Sequence, residues 1–149
     1  MATTTTTQKA TLDSLLRGEM SAIETYRMAI EKLTGSKEPE AAELQRIQRD
    51  HRDAADVLWH RLESKGERPS EGSGAWGAFA KAVEGTAKLL GNTAALKALK
   101  EGEEHGLKEY QGALDDEGIS PELQSVIRTL ISRQQSHIQT LDRLLATLK

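Results

Sequence analysis

The chain has no cysteine, which removes disulfides, thiolate metal sites and cysteine nucleophiles from consideration. Aromatic residues make up only 3% of its 149 positions. A sheet-built core would draw on aromatic and β-branched side chains, so the core must come from Leu, Ile and Ala, a set that suits helices. No apolar run approaches the roughly 20 residues of a membrane span, and the N-terminus lacks the apolar segment of a secretory signal. The chain therefore reads as cytoplasmic, with no membrane partner. Charge of one sign is also missing: 20 Lys and Arg interleave with 23 Asp and Glu for a net −3, unlike the basic footprint of a nucleic-acid binder. There is no Gly-rich phosphate loop, nucleophile elbow or zinc-protease motif.

What is present is helical periodicity. Residues 1–9 form a threonine-rich stretch expected to be a flexible tail, and residues 10–149 the folded part, long enough for one domain with a real core. A first helix is expected to start near Gln8–Leu12 and run to about Thr34, with Gly35-Ser36 as stop and new cap. A second, with Pro39 in its first turn, runs from about Lys37 to Lys65. The Pro-, Ser- and Gly-rich stretch from Glu67 to Gly74 reads as loop. A short helix through Trp76, Phe79 and Val83 follows, docking the connection onto the bundle. The third long helix is expected from Asn92 or Thr93 to about Glu117, and the fourth from Ser120-Pro121-Glu122 onward, with a cap, a proline at the first position and an acid in the first turn. Short turns after the first and third helices make antiparallel neighbours, whereas the long crossover lets the second and third run parallel. The expected fold is an all-α four-helix bundle with one crossover.

Acids break the apolar stripes. On the first helix, steps of four and three connect Leu12, Leu16, Glu19, Ile23, Tyr26, Ile30 and Leu33, one face of a helix. A carboxylate in that row faces the core, where an unpartnered charge is very costly. The same phase on the second helix gives Leu44, Gln48, His51, Ala55, Leu58 and Leu62. The third has Leu96, Leu99, Glu103, Leu107, Tyr110 and Leu114, and the fourth Leu123, Ile127, Leu130, Gln134, His137, Leu141, Leu144 and Leu148. No Arg or Lys lies in these stripes to neutralise the acids.

The polar positions repeat. Gly18-Glu19 precedes Tyr26 by the same spacing as Gly102-Glu103 precedes Tyr110, and these are the chain's 2 tyrosines. Gln48-x-x-His51 recurs as Gln134-x-x-His137. Glu19 and His51 stand about equally far from the first turn, roughly 23 Å at 1.5 Å per residue, and Glu103 and His137 are similarly matched about the second. All six groups can therefore meet near mid-bundle. His60 falls about half a turn away from His51, and His105 points away from Glu103. Glu101 and Glu104 read as solvated, as do Lys97, Lys100 and Lys108.

These residues resemble the ferritin-like superfamily, which places a Glu on helices one and three and Glu-x-x-His on helices two and four around two metal ions. Within it, the Gly-Glu pair and the Tyr seven residues on look like a bacterial family of small ferritin-like proteins of unknown function. The resemblance covers roughly residues 10–148. It implies that Glu19 and Glu103 are the single-helix carboxylate ligands and that His51 and His137 are the histidine ligands. Gln48 and Gln134 take the places of the remaining ligands, and Tyr26 and Tyr110 hydrogen-bond the site from one level along the bundle. The implied metals are iron, zinc or manganese. This sequence departs from the pattern in reading Gln-x-x-His twice. A glutamine amide offers one neutral oxygen and cannot bridge two ions as a carboxylate does, so the charge falls short of what a di-iron centre needs.

Three functions follow as expectations. The first is a metal-binding bundle for storage, buffering or a stress role, expected to be non-enzymatic unless it is the oxidase named third. The second is a structural or partner-binding bundle whose polar layer is metal-free, with Glu19 and Glu103 paired to His51 and His137. The third is a di-iron oxidase. The chain closes directly after the fourth helix, which fits a monomer, a homodimer or binding to another protein better than a cage.

Overall fold

The computed structural model describes residues 2–33, 38–64, 92–116 and 118–147. Among them are four helices and no strand: α1 (Ala2–Leu33), α2 (Glu38–Ser64), α3 (Asn92–Leu114) and α4 (Pro121–Thr147). The turn at Gly35-Ser36, the short helix expected through Trp76 and Phe79, and Leu148 lie outside the described residues.

The backbone of α1 is helical from Ala2, ahead of the start expected near Gln8. Threonine costs only a few tenths of a kcal/mol per helical position, and extending an existing helix avoids the nucleation penalty. At the other end, α3 stops at Leu114, short of Glu117. The Asp115 and Asp116 amides bond back three residues, to Gly112 O and Ala113 O, both at 3.2 Å, and this tightening closes the last turn. The Gly118 amide then donates to Asp116 Oδ1 at 3.0 Å, an aspartate turn of the kind that competes with continued helix. Ser120 caps α4: its Oγ accepts from the Leu123 amide at 3.2 Å and its carbonyl from the Gln124 amide at 2.9 Å.

Packing follows the stripes. α1 lies chiefly against α2 and α3 against α4, with α1 on α3 and α2 on α4 completing the square. Hydrogen-bond partners fix the directions. Glu19 and Tyr26 on α1 meet Tyr110 and Glu103 on α3, and Thr11 meets Asp116 just past the end of α3, so the two run antiparallel. Glu43 and Asp50 on α2 meet Arg143 and His137 on α4, again antiparallel. As α1 is also antiparallel to α2, through Glu19 with His51 and Ile23 with Gln48, the diagonal helices α2 and α3 point the same way.

The core falls into two apolar clusters. One is built on Leu12, Leu16, Leu58, Leu62, Leu123 and Ile127, the other on Ala22, Ala29, Leu44, Leu96, Leu99 and Leu141. Each packs mainly through Leu, Ile and Ala, with one ring apiece, Tyr110 in the first and Tyr26 in the second. Between them lies a layer of buried polar side chains, and all six candidate ligands are in it: Glu19, Gln48, His51, Glu103, Gln134 and His137.

Candidate metal centre

Each helix delivers its polar residues to this layer because they occupy the same phase as the flanking leucines. Glu19 is one turn past Leu16 on α1, His51 one turn before Ala55 on α2, Glu103 one turn past Leu99 on α3, and His137 one turn before Leu141 on α4. Burying the apolar residues of each stripe commits the acid or imidazole in phase with them to the interior, and the cost must be met by partners.

The partners are mutual. His51 Nδ1 stands 2.5 Å from Glu19 Oε2 and its Nε2 stands 2.6 Å from Glu103 Oε1. The His51 ring thus links the acids of α1 and α3. The tyrosines cross over: the Tyr26 hydroxyl donates to Glu103 Oε1 at 2.7 Å, and the Tyr110 hydroxyl to Glu19 Oε1 at 2.5 Å. Each tyrosine serves the acid on the other helix, not the one seven residues before it.

His137 makes a different set. Its Nδ1 is 3.3 Å from Glu103 Oε2, and its Nε2 is 2.8 Å from Asp50 Oδ2. Asp50 is 40% exposed at its side chain, so this corner of the layer reaches the surface. Sequence reasoning did not single out Asp50. It lies next to His51 at a partly exposed position, and only the approach of α4 gives it a role. The corresponding position before His137 is Ser136, so the two halves differ here.

The glutamines do not join the acids. Gln48 Nε2 donates to the Ile23 carbonyl at 3.0 Å and Gln134 Nε2 to the Glu103 carbonyl at 3.1 Å. A main-chain carbonyl only accepts, so the amide nitrogen must be the end that faces it. The histidine rings lie close, with 4.9 Å between the centroids of His51 and His137 and 5.4 Å between His51 and Tyr26. Among the described residues, a void that touches the layer, between Gly18, Glu19, Gly106, Tyr110 and Gln134, measures about 10 Å³, room for roughly one water. His60 is exposed, and His105 is 41% exposed at its side chain, 2.9 Å from Glu109. Neither enters the layer. Glu101 and Glu104 are exposed.

These contacts set the charge states. Burial alone would raise the Glu103 carboxyl, but the charge on His51 and the hydrogen bonds from His137 and His51 outweigh it and hold it down at about 2. Burial favours neutral His51, yet the carboxylates of Glu103 and Glu19 outweigh this and lift the imidazole well above its usual range. Since both His51 nitrogens face carboxylate oxygens, which only accept, the metal-free ring is an imidazolium donating on both sides. Burial and the neighbouring carboxylates push both tyrosines up, Tyr26 beside Glu103 and Tyr110 beside Glu19, so each phenol keeps the proton it donates.

Three of these residues form a group that could hold a metal ion. One ligand atom each from His51, Glu103 and His137 lies within 4.8 Å of the others, and all three residues are buried. Neither the curated proteins nor the solved structures contain a match to the chain. Over residues 10–116 it matches a family described as a domain of unknown function, DUF2383. That span holds Glu19, Tyr26, Gln48, His51, Glu103 and Tyr110 and ends before α4. Because the match covers most of the chain, the protein belongs to the DUF2383 family.

Proposed function

We propose that this protein is a ferritin-like four-helix bundle that holds a divalent transition metal, iron, zinc or manganese, in its mid-bundle layer and serves in metal storage or buffering. The observation that carries it is the convergence of His51, Glu103 and His137 in the core, with ligand atoms within 4.8 Å of one another. Mixed imidazole and carboxylate donors suit these metals. The parallel course of α2 and α3 supports a crossover bundle, and the recurrence of Gly-Glu, Tyr and Gln-x-x-His supports an internal repeat. Among the described residues, a void beside the layer has room for about a single water, a size that suits an ion.

A di-iron oxidase fits the residues poorly. Both glutamines spend their amide N–H on main-chain carbonyls, and the carboxylates that would bridge two ferric ions from α2 and α4 are replaced. No step through such a pair follows from this layer.

Purified without chelator, the protein should carry bound metal by elemental analysis, and the metal-stripped form should bind Zn(II), Mn(II) or Fe(II) by calorimetry. A second reading is favoured by the hydrogen bonds of His51 to two acids at once: a metal-free, ion-paired layer in a structural or partner-binding bundle. The melting temperature decides between them. Binding to the folded state alone raises it by mass action, whereas a purely structural layer leaves it unmoved by added metal.

A further inference from the structure

The layer is built from two similar halves, but its contacts are not symmetric, and the asymmetry assigns roles. Each histidine has one nitrogen turned toward Glu103 and the other held by a different carboxylate. His51 presents Nε2 to Glu103 and is gripped at Nδ1 by Glu19. His137 presents Nδ1 to Glu103 and is gripped at Nε2 by Asp50. A carboxylate on the far nitrogen fixes the tautomer and ring plane of a metal-ligating histidine and makes it a better donor.

We infer that the layer holds a single ion on His51 Nε2, His137 Nδ1 and the Glu103 carboxylate, with Glu19 and Asp50 as positioning residues rather than ligands. This rests on the metal-binding reading above and departs from the two-ion arrangement that the resemblance implies, in which Glu19 and Glu103 are equivalent. Here they are not. Glu103 accepts from both histidines, while among the described residues Glu19 accepts hydrogen bonds from the far side of His51 and from the Tyr110 phenol.

The two separations from the histidines to Glu103 suit one ion. Two donors bound at about 2.1 Å, at angles between octahedral and tetrahedral, stand about 3.0–3.4 Å apart. The 3.3 Å between His137 Nδ1 and Glu103 Oε2 already matches this. The 2.6 Å between His51 Nε2 and Glu103 Oε1 must widen by under about 1 Å, as the ion replaces the proton between them. Two imidazoles and one carboxylate leave further positions for water, and the net charge at the metal is then one positive unit, offset nearby by Glu19 and Asp50. The glutamines, tied to the main chain, are not needed as ligands.

The test is Zn(II) titration of the metal-stripped full chain, followed by nitrogen-15 NMR of its histidines. One equivalent should bind, with the metal on Nε2 of His51 and on Nδ1 of His137. Glu103→Gln should abolish binding. Glu19→Gln and Asp50→Asn should each keep one equivalent while weakening affinity about 10- to 100-fold. Circular dichroism checks the fold of each variant, and the wild-type NMR assignment stands without them. Two equivalents at saturation, metal on the opposite nitrogens, or equal loss in Glu19→Gln and Glu103→Gln would overturn the one-ion site and leave metal binding intact. No Zn(II) uptake by the wild type would overturn both.

Discussion

Tyr26 on α1 donates its hydroxyl to Glu103 on α3, across the bundle and 77 positions along the chain. Tyr110 returns the same bond from α3 to Glu19 on α1. Both acids are thereby held at the level of the histidines by phenols that burial and neighbouring charge keep protonated.

Removing either hydroxyl tests this bracing. Hydrogen bonds to charged groups contribute about 1.5–3 kcal/mol, so Tyr26→Phe and Tyr110→Phe should each lower stability by about that much in urea denaturation. The two should be similar, because each phenol serves one buried acid. A loss below about 0.5 kcal/mol in both would show that the bonds do not hold the layer.

The metal-free protein should have a stability optimum on the mildly acidic side. Glu103, held at about 2 in the folded state, contributes stability above its unfolded value near 4.5, and this is lost as pH falls toward 2. His51 is shifted up, so its contribution is complete below about 6.5 and is lost as pH rises through its folded value. Both are present together between about 4.5 and 6.5. Urea midpoints measured across pH 3 to 9, roughly, should peak there, and Glu103→Gln should flatten the acid limb.

Leu58 and Val57 are chain neighbours with opposite fates. Leu58 is fully buried in the cluster with Leu12 and Leu123, whereas Val57 is 38% exposed. Leu58→Ala should cost about 2–5 kcal/mol. Val57→Ala should stay within about 0.5 kcal/mol. Thermal or urea unfolding of the pair checks whether α2 packs through the expected stripe.

Ser120→Ala should cost about 1 kcal/mol through loss of the α4 cap, since its Oγ accepts from the Leu123 amide. Ser120→Asp, which restores an acceptor there, should recover most of the loss in the same assay.

The stripes were legible because a helix repeats every 3.6 residues, so Leu44 through Leu62 could be assigned to one face before any contact was known. The polar layer was legible for the same reason. Glu19, His51, Glu103 and His137 share phase with leucines, and all four are buried. The pairing within the layer was not. Tyr26 follows Glu19 on one helix, and its bond to Glu103 depends on how α1 lies against α3. The two Gln-x-x-His stretches read alike, yet their histidines differ in partner, because Asp50 reaches His137 and Ser136 stands at the matching position. Periodicity places a side chain on a face. It carries no information on which neighbour arrives opposite.

The crosswise tyrosine bonds also govern how the chain comes apart. The α1–α2 hairpin alone would leave Tyr26 without the acid that accepts its hydrogen bond and His51 facing one carboxylate instead of two. The α3–α4 hairpin alone would leave Glu103 with His137 but without the His51 charge that does most to lower its carboxyl. Neither half completes its own interior, so neither is a stable stopping point during unfolding. Two hairpins that look like separable copies in the sequence are bound into one cooperative unit by the charges they share.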